Sequence, residues 1–154
     1  MTAGTNKALH MKILVDADGC PVVKETIAIA KEHGTEVTLF CDTSHIMSSD
    51  YAEVITVSKG ADSVDFFLVN RVSDGDIVVT QDYGLAAMVL SKGGRPITQN
   101  GMIIDDKNLS MLLTTRYESK KARMAGVHIK GPKKRTADND KAFSSALKSM
   151  LENK

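Results

Sequence analysis

The pattern that most constrains the fold is the alternation of short apolar runs with stretches of helical periodicity. Apolar runs of strand length lie at 12–15, 36–41, 54–57 and 77–80, and helical patterns follow the first, third and fourth of them. Apolar runs without polar alternation are typical of strands buried on both faces by helices. The sequence therefore predicts an α/β fold, a single three-layer domain with a mostly parallel central sheet.

The same patterns predict the remaining elements. Helices are expected over 21–32, 61–72, 83–91 and 107–125, and a last amphipathic helix carries Phe143, Leu147, Met150 and Leu151. In the long helix the residues expected to face inward are Leu109, Leu112 and Leu113. A fifth strand, or its remnant, is expected at 102–104.

Length and composition indicate a cytoplasmic protein without a membrane span. The 154 residues suit one domain over 11–154, and the first ten (MTAGTNKALH) are expected to be a disordered leader or a remnant of expression. No apolar run approaches the roughly 18 residues of a membrane span, and the leader lacks the apolar region of a signal peptide. Cys20 and Cys41 form no Cys-x-x-Cys pair, so free thiols are expected.

Carboxylates follow the predicted strands at the edge where parallel sheets bind ligands. Asp16 and Asp18 follow the first strand, Asp82 follows the fourth, and Asp62 and Asp65 lie one turn apart near a helix start. If the first and fourth strands are neighbours, Asp16 and Asp82 emerge side by side. Converging carboxylates suit Mg²⁺ or Mn²⁺, and a cation would keep mutually repelling acids ionised.

Each of these acids also has a purely structural interpretation. Asp16 and Asp82 precede helices and would serve as N-caps. Asp62 suits the positive end of a helix dipole, whereas Asp65, one turn deeper, has less structural reason to be acidic. Asp42 is placed in a polar loop after the second strand, and Cys20 is expected to be a small packed residue.

A basic segment near the carboxyl end is a candidate surface for a polyanion. Between 116 and 135 there are eight basic residues and one acid, a net charge of +7 in a chain whose total is +1. The residues proposed to contact a nucleic-acid backbone are Arg116, Lys120, Arg123, Lys130, Lys133, Lys134 and Arg135. A solvated helix face, or ion pairs with the acidic remainder, is the alternative. The seven Phe and Tyr residues are dispersed, so no stacking platform for bases is predicted.

The tetrapeptide at 16–19 permits a different chemistry. Asp16-x-Asp18-Gly19 resembles the nucleophile loop of haloacid dehalogenase phosphatases, which also carry a Gly-Asp-x-x-x-Asp acidic loop after a later strand. Here the strand itself separates Asp76 from Asp82, so the two acids are expected at opposite strand ends. A phosphatase is therefore the third alternative.

Four segments in the same order carry a more specific resemblance. They are VDADGCPV (15–22), KGADSVDFF (59–67), GDIVVTQDYGLA (75–86), and the stretch from Arg116 through Gly131-Pro132-Lys133 to Phe143. With them the chain resembles the YaiI/YqxD family (UPF0178, or DUF188), a group usually placed among PIN-like folds. The resemblance implies a PIN-like domain over nearly the whole of 11–154.

By resemblance to PIN-like nucleases, Asp16, Asp65 and Asp82 are the expected catalytic metal ligands. Asp62 or Asp18 is then a fourth ligand or a water-orienting base, and Mg²⁺ or Mn²⁺ is the cofactor. The implied activity is phosphodiester hydrolysis, most plausibly in RNA. Gly84 stands where many PIN-like enzymes have another acid, which weakens a second metal site. The alternative is a nucleic-acid-binding or partner-binding module without turnover.

Overall fold

The computed structural model describes residues 11–43, 47–58, 60, 63–128 and 134–153. These residues contain a five-stranded sheet in the order β3-β2-β1-β4-β5, and every neighbouring pair of strands is parallel. The strands are β1 (Ile13–Asp16), β2 (Val37–Asp42), β3 (Glu53–Val57), β4 (Ile77–Val79) and β5 (Arg95–Ile97). The predicted α/β fold with three layers and a parallel central sheet is confirmed.

Five helices lie within the described residues and cover both faces of the sheet. They are α1 (Val23–Glu32), α2 (Ser63–Asn70), α3 (Tyr83–Ser91), α4 (Asp106–Met124) and α5 (Ala137–Glu152). All five helices were predicted. The boundaries predicted for the first four agree within about two residues wherever the structure describes them, whereas the last was predicted without boundaries. Of these helices, none is both long enough and apolar enough to cross a membrane.

The side chains of the central strands alternate between two apolar cores. Ile13 and Val15 of β1 face one core, which α1 and α5 complete; Leu14 faces the other, beneath α2 and α3. Phe143 and Leu147 of α5 are fully buried in the first core. Burial on both faces explains why β1, β2 and β4 read as continuous apolar runs.

The fifth strand lies at Arg95–Ile97, so the expectation of a full strand at 102–104 is wrong, and only the alternative, a remnant, is present there. Ile103 makes only a single antiparallel bridge with Ile97. The true strand is three residues long and contains Pro96, which hides it from a search for apolar runs. β5 is the edge strand of the sheet, and beyond it lies only the isolated bridge to Ile103, so the missing N–H of Pro96 interrupts no second ladder.

Helix α4 lies at the outside of the molecule, and the expectation of an inward apolar face is wrong. No residue of α4 is buried; Leu109 and Leu112 are half-buried and Leu113 is 40% exposed. The physical reason is its position: α4 packs against α3, which itself covers the sheet, so its leucines do not reach the core.

Asp76 anchors the start of β4 to the start of β1. Its carboxylate is 1% exposed and accepts hydrogen bonds from the backbone N–H of Lys12 (3.1 Å), the Lys12 Nζ (2.6 Å) and the backbone N–H of Ser73 (2.8 Å). Asp76 therefore lies at the opposite end of β4 from Asp82, as predicted, and the resemblance to the phosphatase acidic loop fails on this geometry.

We expect Asp76→Ala to lower the free energy of unfolding by about 3 kcal/mol, because it leaves the Lys12 ammonium and two N–H groups without their acceptor. Urea denaturation measures this loss. The exposed Asp74 provides the matched control, and Asp74→Ala should change stability by no more than about 0.5 kcal/mol. Equal effects of the two substitutions would contradict the anchoring role.

Candidate functional site

Asp16 lies at the carboxyl end of β1, next to the carboxyl end of β4. Val15 and Val79 are partners in the parallel pairing, so the residues that follow them emerge together. The Thr80 hydroxyl donates a hydrogen bond to Asp16 Oδ2 at 3.0 Å. The adjacency of the first and fourth strands, on which the expectation of a shared site depended, is therefore present.

Asp82 caps helix α3, as its structural interpretation proposed. Its Oδ1 accepts hydrogen bonds from the N–H groups of Gly84 (2.9 Å) and Leu85 (3.1 Å). Its own N–H donates to Thr80 Oγ1 at 3.0 Å, so one hydroxyl connects Asp16 with Asp82. Both cap bonds use Oδ1, which leaves the Oδ2 of Asp82 outside the cap.

Asp18 is held over the end of β2 by the backbone of Asp42. The Asp42 N–H donates to the Asp18 carboxylate, at 3.1 Å to Oδ2 and 3.4 Å to Oδ1. Gly19 follows with a φ of +69°, a left-handed conformation that glycine adopts without strain. Asp42 is thus a further acid at a strand end. The sequence pattern had placed it in a loop, because the apolar run of β2 ends at Cys41.

A small polar cavity lies between these strand ends. It measures about 90 Å³ and its lining residues are Asp16, Asp18, Gly19, Cys20, Val79, Thr80, Gln81 and Gln99. That volume accommodates a cation with several waters, since one water needs only about 10–15 Å³ by this measure. Carboxylate, hydroxyl and amide oxygens are donors that Mg²⁺ and Mn²⁺ accept.

Asp65 lines a neighbouring cleft instead of this cavity. The cleft of about 370 Å³ is lined by Asp65, Phe66, Asp82, Gly84, Leu85 and Met88. The predicted acids are thus divided, with Asp16 and Asp18 in the cavity and Asp65 and Asp82 in the cleft, while Asp62 lies outside the described residues. Within the described residues, no group of three or more His, Cys, Asp or Glu side chains is arranged to hold one metal ion.

Burial and like charges both act on Asp16. Burial raises the pKa of the Asp16 carboxyl above its usual range; the Thr80 hydrogen bond opposes this shift, and the charges of Asp82 and Asp18 add to it. Burial also raises the pKa of the Cys20 thiol, which packs against the apolar core, so its protonated form is favoured.

The structure separates the basic residues into two kinds. The basic residues of α4 that were proposed to contact a nucleic acid are exposed and form no ion pair with the described residues; they are Arg116, Lys120 and Arg123. They therefore do not serve to pair with acidic residues of the described part of the chain. Lys134 is also exposed. Lys130 and Lys133 lie outside the described residues.

Arg135 differs from these, because its guanidinium is engaged in the fold. It bonds Asp140 Oδ1 (2.9 Å from Nε), Asn100 Oδ1 (2.7 Å from Nη1) and the Gln99 carbonyl (2.8 Å from Nη2). Its side chain is only 22% exposed. Arg135 therefore tethers the loop after β5 to the start of α5, and Gln99 of that loop lines the polar cavity.

Comparison with known proteins assigns the family. The family model described as "Uncharacterized BCR, YaiI/YqxD family" matches residues 14–153. The chain belongs to the YaiI/YqxD family. This membership confirms the resemblance carried by the four segments, two of which, 15–22 and 75–86, contain residues that line the polar cavity.

Relatives of the YaiI/YqxD family match along almost their entire length. A UPF0178 protein of Clostridium acetobutylicum is 47% identical over 143 residues, covering 92% of this chain and 97% of the relative. A UPF0178 protein of Exiguobacterium sibiricum is 49% identical over 144 residues, covering 94% and 99% respectively. No solved structure matches the chain.

The acidic surroundings of Asp16 lead to a prediction about stability. A carboxyl whose pKa is raised by folding binds its proton more tightly in the native state, so stability falls as pH rises from about 3.8 through the raised value. Asp16→Asn removes this charge while its amide oxygen still accepts from Thr80. We expect the variant to melt at a higher temperature than the unsubstituted protein at neutral pH in EDTA, with the difference vanishing below about pH 4.

Thermal melts across that pH range test the expectation. Asp50→Asn, at an exposed position away from the strand ends, is the matched control and should not alter the pH dependence. A lower melting temperature for Asp16→Asn at neutral pH would show that the ionised carboxylate stabilises the fold.

Proposed function

We propose that this protein is a divalent-metal-dependent hydrolase of phosphodiesters, with RNA as the favoured substrate. The observation that carries the proposal is the parallel pairing of β1 with β4, which brings Asp16, Thr80 and Asp82 together at the carboxyl edge of the sheet. Ligands of open α/β sheets bind at such an edge, where the strand order changes direction. Family membership names no activity.

The donor set fits Mg²⁺ or Mn²⁺ with partial protein coordination. Asp16 and Asp18 would hold a cation in the cavity, and Asp82 and Asp65 would approach a second position from the cleft. Because Mg²⁺ is commonly held by one or two carboxylates, waters and substrate phosphates, a three-carboxylate group is not required. Bound cations of this kind activate a water and stabilise the leaving oxygen of a phosphodiester.

The residues of the chain would position these groups. Thr80 fixes the orientation of Asp16 and, through the Asp82 N–H, the start of α3. The Asp42 N–H holds Asp18 over the cavity. Arg135 restrains the loop that carries Gln99 to the cavity wall.

We expect saturable Mn²⁺ binding that strengthens when a single-stranded RNA supplies a phosphate ligand. Electron paramagnetic resonance of Mn²⁺ measures the free ion directly. Asp16→Asn and Asp82→Asn should each weaken binding at least about tenfold, since each removes a charged ligand. Asp50→Asn should bind as the unsubstituted protein does. If both site variants retain full affinity and metal-dependent cleavage of RNA, the proposed site is excluded.

The exposed face of α4 would contact the RNA backbone. Arg116 and Arg123 lie two turns apart on one side of the helix, with Lys120 between them. Replacing all three by Gln should reduce the slope of log affinity against log salt by about 0.7 for each phosphate that the variant no longer neutralises. Lys148→Gln, an exposed change on α5, is the control for charge alone, and an equal reduction of the slope there would contradict a role for α4.

The second candidate function is RNA binding without turnover. It is favoured by Gly84, which stands where many PIN-like enzymes have an acid, and by the use of Asp82 Oδ1 as a helix cap. This function predicts salt-dependent RNA binding that Mn²⁺ does not convert into cleavage. The same metal-binding experiment separates the two, because a binding module needs no saturable metal site.

A further inference from the structure

A largely exposed aromatic side chain lines the acidic cleft. Phe66, on the first helical turn of α2, has 65% of its surface exposed, and Phe67 and Met88 nearby are 49% and 42% exposed. Large apolar side chains that are exposed together on one surface often mark a binding site. Phe66 also lines the cleft that contains Asp65 and Asp82.

We propose that Phe66 stacks a nucleobase of the single-stranded RNA whose phosphate occupies the strand-end site. This inference rests on the proposed function and adds to it the position of the flanking base. The base would enter the cleft between α2 and α3, with Phe66 and Met88 against its apolar surface.

The arrangement of the two phenylalanine rings supports stacking. The rings of Phe66 and Phe67 meet edge to face, with centroids 5.9 Å apart and planes at 88°. Whichever ring contributes its edge, at least one face of Phe66 is not covered by Phe67. A base stacked on such a face is bound without sequence selection, because every base has a π-face.

Residue 84, which lines the cleft together with Phe66, is a glycine. A Cβ on Gly84 would lie 3.2 Å from Asp82 Oδ1, tighter than ordinary contact, so a side chain here would crowd the carboxylate that caps α3. The position that many PIN-like enzymes use for an acid thus remains open as part of a binding surface.

The chemistry of the cleft favours a base over a purely apolar partner. An apolar protein surface would cover the carboxylates of Asp65 and Asp82 together with Phe66, and removing charged groups from water is costly. A base stacked on Phe66 covers only the apolar side of the cleft and leaves the carboxylates in contact with water or a cation. A nucleotide also continues directly to a phosphate, and Asp82 belongs both to this cleft and to the strand-end acids.

The first test compares affinities for a labelled single strand of about 12 nucleotides, a length within the usual site size. Fluorescence anisotropy in Ca²⁺ records binding without relying on turnover. Phe66→Ala should weaken binding about tenfold, and Phe66→Tyr should restore it. Phe67→Ala, which does not line the cleft, should have a smaller effect, and thermal melts confirm that each variant folds.

An abasic strand of the same length separates stacking from charge. Phe66→Ala should not change the affinity for the abasic strand, because only the phosphate backbone remains. Since the chain contains no tryptophan, Phe66→Trp also supplies a single indole whose emission should be quenched by the normal strand and not by the abasic one.

The possible failures are distinguishable. RNA binding that depends on Phe66 without metal-dependent cleavage would support stacking and reject the hydrolase function. Metal-dependent cleavage with unchanged affinity in Phe66→Ala would reject stacking alone. Absence of RNA binding by the unsubstituted protein, equal quenching by both strands, or a dimer that Phe66→Ala dissociates would each overturn the stacking proposal.

Discussion

The parallel pairing of β1 with β4 determines where Asp16 and Asp82, the acids that follow these two strands, lie. The same two strands end in opposite electrostatic environments. At their amino ends Asp76 is neutralised by Lys12 and by two backbone donors. At their carboxyl ends Asp16 is surrounded by other acids, and only the Thr80 hydroxyl favours its charged form. Burial and neighbouring acids both disfavour the charged form of this carboxyl, which lies at the edge where open α/β sheets bind ligands. Such an acid is better explained by function than by stability.

The sequence was sufficient for the layers of the fold and insufficient where tertiary position outweighs periodicity. The apolar runs predicted β1, β2 and β4 because those strands are buried, and the run at 54–57 predicted β3 although it lies at an edge of the sheet. Strand β5 is an edge strand with a proline, and α4 packs on another helix, so neither follows the pattern of a core element. Exposure is a property of the assembled fold, which is why Phe66, unremarkable in a chain of dispersed aromatics, was not predicted as a binding residue.

For a similar reason, charge density overestimated how available the guanidinium of Arg135 is to a nucleic acid. Arg135 belongs to the most basic stretch of the chain, yet Asp140, Asn100 and Gln99 engage its guanidinium. No sequence spacing relates Arg135 to Asn100, because the loop after β5 and the start of α5 meet only in three dimensions. Arg116, Lys120 and Arg123 of α4 remain candidates for backbone contact, because this outer helix leaves their charges in solvent.

The division of the acids between two sites bears on how a substrate would bind. The cavity beside Asp16 and Asp18, at about 90 Å³, suits a hydrated cation, and the cleft beside Asp65 and Asp82, at about 370 Å³, admits a larger and partly apolar group. A nucleotide has both components, an anionic phosphate and a flat apolar base joined by a sugar. Asp82 lines the cleft and also acts electrostatically on Asp16. A single nucleotide that occupied both sites would bring a cation that offsets the repulsion between Asp16 and Asp82. Its base would at the same time cover Phe66. Metal affinity and strand affinity should therefore be coupled, each raising the other by the same factor.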